Sequence, residues 1–461
     1  MKILETLICA LLFSLLFYQQ NIGLNLLLFT LLTNIILIIN NKEIIQNRNT
    51  NFKLFTYILT GITVFLYNSN LSITANIITF FTVIGSVSEH KSSIYIKWIN
   101  GIYTSIAAVF TLYYDSLNTE VENVKKVKIN YLYWLKIIGI PIAFIIIFIS
   151  LYRNGNPMFD ELILKIDFSF INLKWLLFVV MGYYLFYNIS NPILIEPLTS
   201  LDIDTGNYLN KNNLENISQK NLKSEKQLGI VLMSSLNILT IFFIITDIFH
   251  LSEIHKMIAS ELSKQVHNDV NALIFSNILA IIIILYFFRG NLNFFEKNKG
   301  LKNLTFVWIF LNLSVVGITA IKNVEYIISF GLTYKRIGVL FFLTATSIGL
   351  ITTFIKVSRI KNLWFLFRKN TQIAFVILIL SSTLNWDKII TYYNINNADH
   401  LDVNYLINLS NNNAFLLKDY IEKNEINSYK KTKINKKYTS YMRDLKNNSW
   451  QEMVYDNLNV D

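Results

Sequence analysis

The sequence predicts an all-α integral membrane protein, a polytopic bundle of about eleven transmembrane helices (range about 10–12) with no large soluble domain. Three observations lead there. The chain of 461 residues is 53% hydrophobic and 15% charged, outside the balance of ordinary soluble domains. Its apolar residues come in continuous runs, such as PIAFIIIFISLY (141–152) and ALIFSNILAIIIILYFF (272–288), which suit lipid better than a one-faced amphipathic helix does. Its basic residues collect between those runs: Lys42, Arg48 and Lys53; then Arg289, Lys297, Lys299 and Lys302; then Lys356, Arg359, Lys361, Arg368 and Lys369, with no acid among the last set.

In order, spans are predicted at 3–19, 22–40, 53–69, 71–88, 131–152, 171–189, 228–249, 271–289, 303–321, 336–355 and 371–386. The opening MKILETLICALLFSLLFYQQ imitates a secretory signal, but no small-residue cleavage pattern follows, so it reads as a retained first helix. Segment 94–113 has Lys97 and Trp98 at one end and Tyr113 and Tyr114 at the other, which reads as an interfacial helix. The chain then divides into a four-helix membrane segment (1–88), an interfacial and cytoplasmic linker (89–130), a membrane core of about seven helices (131–386) and a polar extracytoplasmic tail (387–461). Within the core, 190–227 is a polar linker. The tail is too poor in apolar periodicity for a large core, though short helices such as 440–457 are expected.

Loop charge orients the bundle. The basic set, with Lys91, Lys97, Lys125, Lys126 and Lys128, belongs in the cytoplasm. Loops at 18–21 and near 70 are uncharged, while 152–170 and 250–270 mix acids and bases, so these lie outside. The N-terminus is then cytoplasmic and the C-terminus external, in a bacterial inner membrane. The abundance of Ile, Asn and Lys with only 4 Pro fits an AT-rich bacterial genome. The net charge of +11 is spread over loops, which points to the lipid bilayer and its anionic headgroups as partner and away from nucleic acid. No protein partner is specified. The single cysteine, Cys9, excludes an internal disulfide and a cysteine zinc site.

Polar groups at membrane depth need a partner or a task. Asp247 ends the seventh span, with His250 one turn on. Lys322 and Glu325 close the ninth at the same spacing. Lys335 and Arg336 open the tenth, and Asn385 and Asp387 close the eleventh. Together they form a candidate outer polar cluster, with Arg336 bidentate to Asp247 or Asp387. The plainer reading is helix-end charges that snorkel into headgroups. His250, His255 and His267, with Glu253, Glu261 and Asp269, lack the HExxH spacing of a metal site, so no metal and no cofactor is expected. Walker, GxGxxG and GxSxG patterns are absent, and the first outer loop, YQQNIG, lacks the acid expected of a lipid-linked glycosyltransferase. No catalytic residue emerges, and a non-enzyme is the better reading.

At the tenth span, FGLTYKRIGV (330–339) resembles the YGLTxxR stretch of bacterial membrane families known as domains of unknown function 4153 and 4173. QVHNDVNALIFSNILAI (265–281), YFFRGNLNF (286–294), NWDKIITYYNI (385–395), LDVNYLINLS (401–410) and SLYRNGNPMFD (150–160) are similar to further family segments, in order, over about 130–455. Phe330 replaces the family's frequent Tyr, and His267 stands where other branches have an aromatic or basic residue. The resemblance implies a multi-pass inner-membrane protein with an external tail and singles out Arg336, Asn385, Asp387 and Asp402. It brings no activity. Three classes follow: an envelope scaffold or sensor with an outward polar site; a transporter or channel with Asn237, Asn277 and Asn312 on facing helices; and an enzyme on a lipid-linked substrate, with Asp247, His250 and Arg336 converging in a cleft.

Overall fold

The computed structural model describes residues 3–42, 47–118, 131–165, 172–210, 219–251, 259–295 and 297–460. The helices run α1 (Ile3–Phe17), α2 (Leu24–Asn40), α3 (Arg48–Tyr67), α4 (Asn70–Ser88), α5 (Ile94–Asn118), α6 (Tyr131–Gly155), α7 (Pro157–Lys165), α8 (Leu173–Ser190) and α9 (Glu196–Asp204). There follow α10 (Gln219–Leu251), α11 (Ala259–Phe287), α12 (Lys299–Phe330), α13 (Tyr334–Ser358) and α14 (Leu363–Ser382). The last four are α15 (Trp386–Asn397), α16 (Val403–Ile407), α17 (Ala414–Lys423) and α18 (Ser428–Asn447). Among the described residues the only strand-like pairing is one isolated bridge, Tyr208 with Lys361.

Seven of these helices are long and apolar enough to cross a membrane among the described residues: α4, α8 and α10 to α14. The expected eleven is not confirmed by length and hydropathy; α1, α2 and α3, three of the four further expected spans, fall short for physical reasons. At 15 and 17 residues α1 and α2 are apolar but short. At 20 residues α3 is long enough but carries Arg48, Lys53 and several Asn and Thr. What α3 offers instead is polar packing. Asn76 of α4 donates to Thr30 of α2 at 3.1 Å and to Thr60 of α3 at 3.3 Å, and Thr60 and Thr79 share a hydrogen bond of 2.8 Å. Buried hydroxyls and one amide therefore pin three helices with their polar groups paired.

The chain forms two compact units, Met1–Tyr18 with Ile106–Asn188, and Gln19–Ser105 with Ile189–Asp461. In the first, Phe13 of α1 meets Phe178 and Phe186 of α8, and Gly182 lies so close to Phe13 that a Cβ would sit 2.9 Å from its side chain. In the second, the first half of α5 crosses α4 at two glycines. A Cβ on Gly85 would overlap the Lys97 carbonyl, and one on Gly101 the Phe81 carbonyl, so the two backbones touch. Ile94, Ile96, Asn100 and Thr104 are buried along this half, which gives segment 94–105 a packed face.

In the tail, where short helices and no large core were expected, α15 to α18 fold around a small core of Ile390, Val403, Leu406, Leu417, Ile421 and Ile434, joined by Ile337 of α13. A second small core holds Ala414, Tyr441, Leu445 and Val454. This tail is docked on one end of the second unit. The Leu24 and Asn25 amides donate to the Met453 and Gln451 carbonyls at 2.8 Å each, and Gly23 leaves no room for a Cβ against Glu452. The expected linker 190–227 is also more than a linker over its described part. It forms α9, and its 207–209 strand-like stretch bonds to 360–362 before α14.

Candidate functional site

Helix α12 packs against both α10 and α11, and the buried charged groups among these three come from one end of each. On α10 the core-facing stripe runs Met233, Asn237, Asp247; on α11 it runs Leu273, Asn277, Ala280, Ile284; on α12 it takes Thr305, Trp308, Asn312, Val315, Thr319 and Lys322. The α11 and α12 residues step by three and four along one helical face, and the three on α10 also share one face, with Asp247 about three turns beyond Asn237. Lys322 is wholly buried, with 0% of its side chain exposed. Its ammonium donates to the Asp247 carboxylate from α10 and, at 2.8 Å, to the Asp269 carboxylate from α11. A lysine with four methylenes reaches where a shorter base could not. All three residues lie within helices long and apolar enough to span.

Of the residues singled out in the sequence, Asp247 and Lys322 are thus brought together. His250, half-buried, follows Asp247 by about one turn on α10, and Glu325, half-buried, follows Lys322 on α12. Lys335 is exposed. Arg336 does not form the expected carboxylate pair. Its Nη1 donates to the carbonyls of Phe330, at 2.8 Å, and Gly331, and its guanidinium sits 3.7 Å from the centre of the Tyr326 ring. The reason is local. The last carbonyls of α12 lack intrahelical donors, and an arginine at the start of the next helix is placed to satisfy them. Its own carbonyl accepts from Asn323, the buried neighbour of Lys322, at 3.1 Å.

Asn385 and Asp387 belong to a separate cluster in the tail. Asn385 caps α15, accepting from the Lys388 amide at 3.1 Å. Asp387 accepts from Tyr334 at 2.8 Å and from Ser410. Beside it, Asn394 accepts from the Leu332 amide at 2.5 Å and donates to the Leu332 carbonyl at 2.9 Å, while the Tyr334 amide donates to Tyr405 at 2.9 Å. The tail therefore grips the α12–α13 turn by its backbone. Asp402, the last position that the resemblance singled out, caps α16 through the Tyr405 amide at 3.0 Å. A cavity of about 270 Å³ lies where the tail meets the turns at 21–22 and 66–68, with Asn68, Asn412, Asp444, Glu452 and Asp456 on its walls. His255 and the side chain of His267 lie outside the described residues, and no group of three metal-binding side chains occurs among those described.

Sequence reasoning missed two residues. Asp269 was read as part of a mixed surface loop, although its i+4 and i+8 neighbours Leu273 and Asn277 mark it as part of a buried stripe. Asp202 of α9 was not singled out at all. It accepts from the Ser93 amide at 2.7 Å, from Tyr95 at 3.0 Å and from Arg368 of α14 at 3.0 and 3.2 Å. Burial pulls its carboxyl upward, but hydrogen bonds from Ser93, Tyr95 and Arg368 outweigh that and hold it below the ordinary carboxylate range.

Fold and site together define an all-helical protein of membrane type, with buried charges near the ends of its longest helices. The chain belongs to the family described as Domain of unknown function (DUF4153), whose profile matches residues 7–420. That match reaches further toward the N-terminus than the segments recognised in the sequence. No curated protein and no solved structure matches the chain.

Proposed function

We propose that this protein translocates protons across a bacterial cytoplasmic membrane, with Asp247, Lys322 and Asp269 as its protonatable site. The observation behind this reading is the complete burial of Lys322 between carboxylates from two other helices. Ionisable groups at membrane depth are costly to keep and mark proton and ion pathways. A scaffold or sensor has no use for that cost. A lipid-linked enzyme calls for Asp247, His250 and Arg336 to converge, whereas Arg336 is engaged with the carbonyls of Phe330 and Gly331.

Around that site we place eleven crossings, a cytoplasmic N-terminus and an external C-terminus, with anionic headgroups held at the basic loops. The boundaries at 88, 130 and 386 divide the N-terminal segment, linker, core and tail. The test is proton flux into proteoliposomes that contain a pH-sensitive dye, with the membrane potential clamped by valinomycin. Wild-type vesicles should collapse an imposed pH gradient faster than empty ones, and Lys322→Met or Asp269→Asn should return the rate to background. Wild-type vesicles as tight as empty ones would sink the proposal.

A further inference from the structure

Two buried amides beneath the triad have hydrogen-bonding capacity that the packing does not use. Asn277 of α11 is 8% exposed, and among the described residues neither its Oδ1 nor its Nδ2 has a partner. Asn237 of α10 is 5% exposed; its Nδ2 donates to the Leu304 carbonyl of α12 at 3.0 Å, but its Oδ1 has no partner there. A buried amide group left without a hydrogen bond costs on the order of 1–3 kcal/mol. An asparagine that served only to glue helices would be bonded across the interface, as Asn76 is to Thr30 and Thr60. Asn277 shows the opposite behaviour.

Their positions are ordered. Asn277 lies about 12 Å along α11 from Asp269, and Asn237 about 15 Å along α10 from Asp247, at 1.5 Å per residue. Both are displaced the same way: Asn237 is level with Leu304 near the start of α12 while Asp247 meets Lys322 near its end, and α11 runs from Asp269 through Asn277 to Phe287, which lies with Leu301 beside Gly229. Between those levels α12 presents Thr319, Asn312 and Thr305 on its buried face. The Thr319 and Thr305 hydroxyls donate to their own helix, to Val315 at 3.1 Å and Leu301 at 2.9 Å, which leaves their oxygens as acceptors. Three helices thus contribute polar steps along one interface, leading from the triad toward the loop that carries Arg289, Lys297 and Lys299.

We infer that α10, α11 and α12 enclose a narrow hydrated path that delivers protons to the Asp247–Lys322–Asp269 triad, with Asn277 and Asn237 as the groups that hold its water. The inference rests on the proton-translocation reading and adds its route. Water needs two to four polar partners to be stable in a protein interior, and amides with open donors and acceptors supply them. A proton moves along such a chain by exchange of hydrogen bonds. The carboxylate that takes a proton from the water below gives one up on its other side, so nothing else is consumed. The charged and titratable groups near the upper end are Asp247 and His250 on α10, Asp269 on α11, Lys322 and Glu325 on α12, and Arg336 on α13.

The lone Cys9 makes the test direct. In a Cys9→Ser background, Asn277→Cys and Asn237→Cys are made separately, with Leu279→Cys as a control whose side chain faces outward from α11. Each full-length protein, reconstituted in vesicles, is treated with a small, charged methanethiosulfonate, which reacts with thiolates in water and not with thiols in lipid or dry protein. Asn277→Cys and Asn237→Cys should react at least about tenfold faster than Leu279→Cys, and reaction at Asn277→Cys should slow proton flux in step with labelling. Equal, background reactivity of all three would overturn the path even if Lys322→Met abolishes flux. Labelling of both Asn positions with flux unchanged in Lys322→Met would keep a hydrated path and remove the proton reading on which it was built. Either cysteine variant is informative alone, so failure of one to fold does not shield the inference.

Discussion

No part of the Lys322 side chain reaches solvent, so its charge is tolerated only because two carboxylates meet it. The converse also holds: those carboxylates depend on the lysine. Lys322→Met should therefore leave Asp247 and Asp269 facing each other without a counter-charge and destabilise the protein by about 3–5 kcal/mol. Adding Asp247→Asn and Asp269→Asn removes the repulsion, so the triple variant should regain most of the lost melting temperature in detergent. A triple variant no more stable than Lys322→Met would show that the lysine contributes packing and not charge pairing. At this scale the sequence was half legible. Asp247 and Lys322 stand out as polar residues ending apolar runs, but nothing along the chain says which base meets which acid. Arg336 looked the better partner because its fork suits a carboxylate; the bare carbonyls at the end of α12 claimed it first.

Among the elements, the apolar helices α10 to α14 were readable because lipid exposure makes whole turns hydrophobic, a signal that needs no knowledge of neighbours. The tail was not. The core of α18 rests on Ile434, Tyr441 and Leu445 among many lysines, and the residues they cover come from α15 to α17. Only the folded contacts reveal that enough apolar surface exists. The same holds for α9, whose role depends on Asp202 reaching Ser93 and Arg368 from far along the chain. Because those bonds hold the Asp202 carboxyl below its ordinary range, the folded state binds a proton there less readily than the unfolded state. Its contribution is then fully present above the unfolded value of about 3.9 and fades as pH falls through the lower, folded value. Asp202→Asn should lower the melting temperature at neutral pH, and the gap from wild type should close on acidification below about pH 4. A constant gap across that range would mean that the side chain acts through shape and not through its charge.

Across the second unit, the turns divide into two groups, and the division agrees with charge. The 19–23, 68–69, 331–334 and 383–386 turns gather with the docked tail, as the bonds from Leu24 to Met453, from Asn68 to Ile22 and from Asn394 to Leu332 require. At the opposite end Arg368 reaches Asp202, Asn41 donates to the Ser190 carbonyl and Lys356 to the Phe288 carbonyl, which brings the three basic stretches to one side. Helices that alternate in direction carry their loop charges with them, so the fold converts three separated stretches of sequence into one positively charged face. That face belongs in the cytoplasm if the orientation follows basic residues, and the tail then lies outside. Two exposed positions separate the alternatives: Tyr429 on α18, 63% exposed, and Tyr208 beside α9, 64% exposed. In the Cys9→Ser background, Tyr429→Cys should label in intact spheroplasts with a membrane-impermeant maleimide, and Tyr208→Cys only after the membrane is opened. The reverse pattern would turn the whole bundle over. The proton path would then open toward the outside and the triad toward the cytoplasm, with the charge asymmetry left to some cause other than insertion.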